Sequence, residues 1–164
     1  MFSKNLIVLL LSQIFSFTAA PITVFLSGII GSSMIEDKSL ATLPPALMII
    51  GTASGSILAS YIMSIKGRKY GFMLGTIITS LSSLIASYAV FNNIFVTYCL
   101  SNFLIGIGHA FVAQYRFAAA ESVDKKYAPT AISYILFASM IGALIGPNVA
   151  NLTKNLLTDV IYTG

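Results

Sequence analysis

Long apolar runs separated by short polar segments organise the whole chain. Each run holds about 20 residues or more, and a helix of that length crosses a hydrocarbon core of about 30 Å. The pattern therefore predicts an all-α membrane protein with five membrane-spanning helices and no soluble domain. The predicted helices cover about 6–30, 41–65, 70–91, 94–118 and 130–150.

Charged residues or asparagines mark each of the four breaks between the runs. After Asn151 the chain turns polar, and no sixth apolar run follows it. The breaks are Gly31 to Ser39 with Glu36, Asp37 and Lys38; the basic turn Lys66-Gly67-Arg68-Lys69; Asn92-Asn93; and Ala120 to Pro129 with Glu121, Asp124, Lys125 and Lys126.

The composition excludes several classes of protein. Hydrophobic residues make up 57% of the chain and charged residues only 9%, and the mean hydropathy is +0.90. A soluble domain carries about 25% charged residues. The net charge of +4 does not indicate a nucleic-acid partner, because the cations form no continuous stripe. A single cysteine, Cys99, allows neither an internal disulfide nor a cysteine metal cluster.

Basic residues concentrate on one side of the predicted membrane. With a cytoplasmic N-terminus, only two cations fall outside, and this bias matches the positive-inside rule. We therefore predict a cytoplasmic N-terminus and a C-terminus on the outside. The inner cations are Lys4, Lys66, Arg68, Lys69, Arg116, Lys125 and Lys126, and the outer ones are Lys38 and Lys154.

Polar residues inside the apolar runs are candidates for a solute pathway, because each is costly in lipid unless it is paired or hydrated. Asn102, His109 and Arg116 follow one another at seven-residue spacing, so they share one face of the fourth helix. Gln13 lies beside a stripe of serines and threonines on the first helix. We predict a hydrated cavity between these two helices, with Gln13, Asn102 and His109 on a polar-solute pathway.

Each of these residues also has a purely structural interpretation. Asn102 can hold two helices together by hydrogen bonds, and Arg116 can extend its guanidinium to the headgroups. His109 can be a hydrogen-bonded packing residue. It is also the only histidine, and imidazole titrates near physiological pH, so a role in proton transfer stays open.

Small residues at regular spacing predict close helix packing, since apolar burial gains little in lipid. Gly51 and Gly55 of the second helix form one such face. On the fifth helix, Gly142 and Gly146 precede Pro147. Because proline removes a helical hydrogen bond, we predict a bend there.

The turn between the second and third helices resembles the loop motif of the major facilitator superfamily, G-x-L-x-D-R-x-G-R-K. The corresponding stretch runs from Ser60 to Lys69 and keeps the final G-R-K as Gly67-Arg68-Lys69. The chain departs from the motif at three positions: Ser60 replaces the glycine, Ser64 the aspartate and Ile65 the arginine.

Two more helices carry the resemblance. The fourth-helix pattern R-x-x-Q-G-x-G-x-A is similar to the stretch from Asn102 to Ala110, where Gly106 and Gly108 are in register. The fifth-helix pattern G-x-x-x-G-P is similar to Gly142 through Pro147. The stretch from Gln114 to Glu121 looks like that of one bacterial branch of uncharacterised transporters in this superfamily.

The resemblance implies the first five helices of an N-terminal six-helix bundle, truncated before helix six, from a twelve-helix transporter. It implies secondary active transport of a small polar solute by alternating access in the bacterial inner membrane. The expected partners are the bilayer, the solute, the missing C-terminal helices and protons as a coupling ion. A gating contact is expected between the loop residues Arg68 or Lys69 and Glu121.

Two other functions remain as alternatives. A membrane enzyme needs a convergent nucleophile, metal cluster or carboxylate pair, and the chain offers none of these patterns, so no catalytic residue, metal or cofactor is predicted. A non-transporting multi-pass scaffold or assembly protein is the main alternative, and the short length of 164 residues is its best support.

Overall fold

The computed structural model describes residues 4–153, and every regular element in that range is helical. Lys154 and the predicted outer C-terminus lie outside these residues. Two short 3₁₀ turns, Lys38–Leu40 and Lys125–Tyr127, lie in the loops. The helices are α1 (Lys4–Ser33), α2 (Leu43–Lys66), α3 (Arg68–Phe91), α4 (Phe95–Val112), α5 (Tyr115–Glu121) and α6 (Ala128–Thr153).

Five segments of the described chain are long and apolar enough to cross a membrane, and α4 and α5 together form the fourth. Their outer faces expose large apolar side chains, whereas many of the buried residues are small. An apolar exterior is favourable in lipid and unfavourable in water. The chain is therefore a multi-pass α-helical membrane protein, as its sequence predicts.

The fourth span differs from the single helix expected over 94–118. It continues to Glu121, and a tight turn at Ala113 and Gln114 separates α4 from α5. There the amide of Gln114 donates to the carbonyl of Phe111 over 3.1 Å, an i→i+3 bond that tightens the backbone. No proline or glycine stands at this turn, so the local sequence does not predict that the helix is interrupted here.

The helices α2 and α4 approach each other closely at paired glycines. A Cβ atom at Gly51 would overlap the carbonyl oxygen of Phe103, and one at Gly106 would overlap that of Met48. A Cβ at Gly55 would come within 2.8 Å of the Cα of Ile107. The small-residue face predicted for the second helix therefore lies in backbone contact with α4.

The helices α1 and α6 cross in a similar way. A Cβ at Gly142 would lie 2.6 Å from the carbonyl oxygen of Ile14, and one at Gly146 would overlap that of Thr18. These two glycines thus have a packing role against α1. The helix α6 continues through Pro147 to Thr153, and the bend at Pro147 stays a prediction.

We expect Gly106→Ala to lower the free energy of unfolding by about 1–3 kcal/mol, because the added methyl forces the α2 and α4 backbones apart. The matched control is Gly28→Ala, where nothing lies within 4 Å of the new Cβ. Denaturation of the full chain in detergent, followed by circular dichroism, measures both. Equal stability of the two variants would contradict the close-crossing account.

Candidate functional site

An ion pair joins α3 to α5 at the end of the bundle where α2 meets α3. Arg68 Nη2 lies 2.5 Å from Glu121 Oε1, and Arg68 Nε donates to Glu121 Oε2 over 3.1 Å. Two parallel bonds of this kind fix the carboxylate in the plane of the guanidinium. The side chains remain 33% and 61% exposed, so water can compete for both partners.

Gly67 positions Arg68 for this contact. It ends α2 and precedes the first residue of α3, with a φ of 85°. Residues with a side chain rarely adopt this conformation, so glycine permits the sharp reversal between the two helices. Its amide still donates to the carbonyl of Met63 and so completes the last turn of α2.

Lys69, the other predicted partner of Glu121, forms no ion pair with any residue that the structure describes. It lines a cavity of about 590 Å³ between α1, α3 and α5, together with Arg68 and Glu121. The structure thus brings three of the predicted loop residues and Glu121 to one end of the bundle. Their gating role stays a prediction.

Gln114, for which the sequence predicted no role, extends the Arg68 contact. Its Oε1 lies 3.5 Å from Arg68 Nη1, and its Nε2 lies 3.5 Å from the hydroxyl of Ser60 on α2. Gln114, Ser60 and Arg68 line a second cavity of about 520 Å³. The sequence signal that could have identified it is a polar amide side chain within the fourth apolar run.

Gln13 connects α1 to α6. Its side chain is only 5% exposed, and its Nε2 donates to the hydroxyl of Ser139 over 2.7 Å. Its Oε1 is buried and has no hydrogen-bond partner among the described residues. Gln13 and Ser139 line a cavity of about 210 Å³ with Arg116.

Asn102 and His109 do not line the cavity that Gln13 lines. Asn102 is 1% exposed, and its Nδ2 donates to the carbonyl of Tyr98 in its own helix over 2.9 Å. Its Oδ1 is buried without a partner in residues 4–153. His109 is half-buried on α4. The structure therefore groups Gln13 with Arg116 and Ser139, and a pathway role for Asn102 and His109 stays a prediction.

The sugar (and other) transporter family matches residues 7–155, nearly the whole chain. The chain belongs to this family, within the major facilitator superfamily. The superfamily membership predicted from the loop and helix motifs is thereby confirmed. No solved structure matches the chain significantly.

Three transporters are similar over most of the chain. A riboflavin transporter, RfnT, of Brucella anthropi is 29% identical over 98% of this chain and 40% of its own length. The uncharacterized MFS-type transporters YdeG and YddS of Bacillus subtilis are each 28% identical, over 98% and 92% of this chain. They are covered over 37% and 35% of their own lengths. The chain thus spans well under half of each relative.

Proposed function

We propose that this chain is the N-terminal part of a longer secondary transporter, which moves a small polar solute across the bacterial inner membrane by alternating access. The observation that carries the proposal is the family match over residues 7–155, together with the Arg68–Glu121 pair at the loop that the family motif marks. The similar proteins are named as transporters, and no finding favours a scaffold or an enzyme.

In this proposal the Arg68–Glu121 pair is a latch that closes the cytoplasmic end of the bundle. It connects α3 to α5, and Gln114 extends the contact toward Ser60 on α2. An exposed ion pair contributes only about 0–1 kcal/mol. A contact of that strength shifts the equilibrium toward the closed form by at most about fivefold, so it still breaks at thermal energies, as alternation between two states requires.

We further propose that the solute resembles riboflavin in size and polarity, since a similar protein is named as a riboflavin transporter. His109 is the proposed proton carrier. It is half-buried in the middle of the fourth span, and an unperturbed imidazole changes charge near neutral pH.

The first experiment is to read the genomic DNA beyond the codon for Gly164. We expect an open frame with about seven further apolar spans, because a transporter of this type pairs two six-helix bundles around a midplane site. A stop codon directly after Gly164 would contradict the proposal that the chain is part of a longer transporter.

The second experiment measures uptake by the longer protein, reconstituted in liposomes with an inward proton gradient. We expect accumulation of riboflavin or of another small polar solute from a bacterial extract, read by mass spectrometry. Substituting His109→Gln should abolish the dependence on the gradient, because glutamine preserves polarity but carries no titrating proton. Correctly inserted protein that moves no solute would contradict the transport function. Unaltered proton dependence of uptake in the variant would exclude His109 as the proton carrier.

A further inference from the structure

The cavity between α1, the α4–α5 turn and α6 has three polar side chains in an otherwise apolar lining. Its volume of about 210 Å³ compares with about 30 Å³ for one water molecule in the liquid. The polar residues are Gln13, Arg116 and Ser139, each from a different helix. A cavity of this size accommodates a ring-sized group of a solute.

Arg116 is the cation of this cavity. It lies five residues before the end of the fourth span, or about 7.5 Å along the helix. Its guanidinium carbon is 5.0 Å from the ring centroid of Phe117, and it forms no ion pair with any residue in the described range. Arg116 is exposed, so its charge lies either at the headgroups or in a hydrated pathway, and its place in the lining of this cavity favours the pathway.

The second observation is a buried acceptor on Gln13 that has no donor among the described residues. The Nε2 of Gln13 is committed to Ser139, while its Oε1 is this buried acceptor. A guanidinium carries five N–H donors. Gln13 and Arg116 line the same cavity, so a guanidinium N–H that reached Gln13 Oε1 would satisfy this acceptor. A guanidinium presents parallel N–H donors along one edge, and these match the two oxygens of a planar carboxylate.

We propose that Arg116, oriented by Gln13 and Ser139, binds a planar group of the solute that presents acceptor oxygens to its guanidinium. This inference rests on the proposed transport function and assigns a substrate-contacting residue to it. A carboxylate presents two oxygens to the parallel donors at once, whereas a neutral cyclic imide has an N–H between its carbonyl oxygens and accepts through one of them at a time. The two differ in charge, and the experiment separates them.

The test uses the full chain in lipid nanodiscs, with Cys99→Ala and a reporter cysteine at Ala113, an exposed residue that lines the cavity. We compare its reaction rates with an anionic and a cationic methanethiosulfonate reagent. The anionic reagent should react faster, and Arg116→Gln should lower the ratio of the two rates about tenfold, because a charged cleft concentrates counter-ions. The matched control is Lys126→Gln, which removes a cation outside the cavity lining and should leave the ratio unchanged.

A second measurement, protection of the reporter cysteine by a competing ligand, tests which chemical group is bound. Benzoate supplies a planar carboxylate and uracil a planar neutral imide, and each is added as a competitor before the thiol reagent. Protection by benzoate alone assigns a carboxylate, protection by uracil alone assigns an imide, and protection by both assigns a planar oxygen acceptor of either charge. Arg116→Lys should retain the rate ratio and lose the protection, because lysine keeps the charge without the planar fork.

Three results would overturn the inference. The first is no reaction at Ala113→Cys or at a second cavity reporter, Leu136→Cys. The second is a rate ratio that does not change in Arg116→Gln, as expected if Arg116 extends to the lipid headgroups. The third is protection by neither compound. The readout needs no transport, so its failure is distinguishable from failure of the proposed function.

Discussion

Close approach of helix backbones is the constraint on which the rest of this structure depends. Lipid tails are as apolar as leucine, so helices in a bilayer gain little by burying leucine against leucine. At Gly51 and Gly106 the missing side chains let α2 and α4 approach closely enough for backbone contact. That crossing fixes α4 beside α2, and the fourth span then carries Gln114 and Glu121 to the turn between α2 and α3.

The sequence predicted the architecture because the signals for it are local. Apolar runs bounded by charged segments identify the spans, and glycines at four-residue spacing identify the crossing faces. The Arg68 and Glu121 contact was expected from family resemblance, and the structure places these side chains together. The turn at Ala113–Gln114 could not be predicted, since neither proline nor glycine marks it. The Gln13–Ser139 bond joins residues 126 positions apart, and no local pattern reports such a pairing.

The short helix α5 connects the two polar regions of the protein. Glu121 at its end pairs with Arg68, and Arg116 near its start lines the cavity with Gln13. Seven residues form this helix, and a tight turn separates it from α4. A rigid movement of α5 away from Arg68 would therefore also displace Arg116. In our account, this links the closed state of the cytoplasmic end to the geometry of the proposed solute contact.

The central claim is that the Arg68–Glu121 pair holds the cytoplasmic end closed, and thiol accessibility tests it most directly. A reporter cysteine replaces Met63, a buried residue that lines the cavity beside Arg68, in the longer protein carrying Cys99→Ala. We predict that Glu121→Gln raises the reaction rate about 1.4- to fivefold, the equivalent of about 0.2–1 kcal/mol. Adding Arg68→Gln should give little further increase, since only the longer contact between Arg68 and Gln114 then remains to be lost. The control Glu36→Gln changes a carboxylate in the loop between α1 and α2 and should have no effect. An unchanged rate in Glu121→Gln would contradict the account.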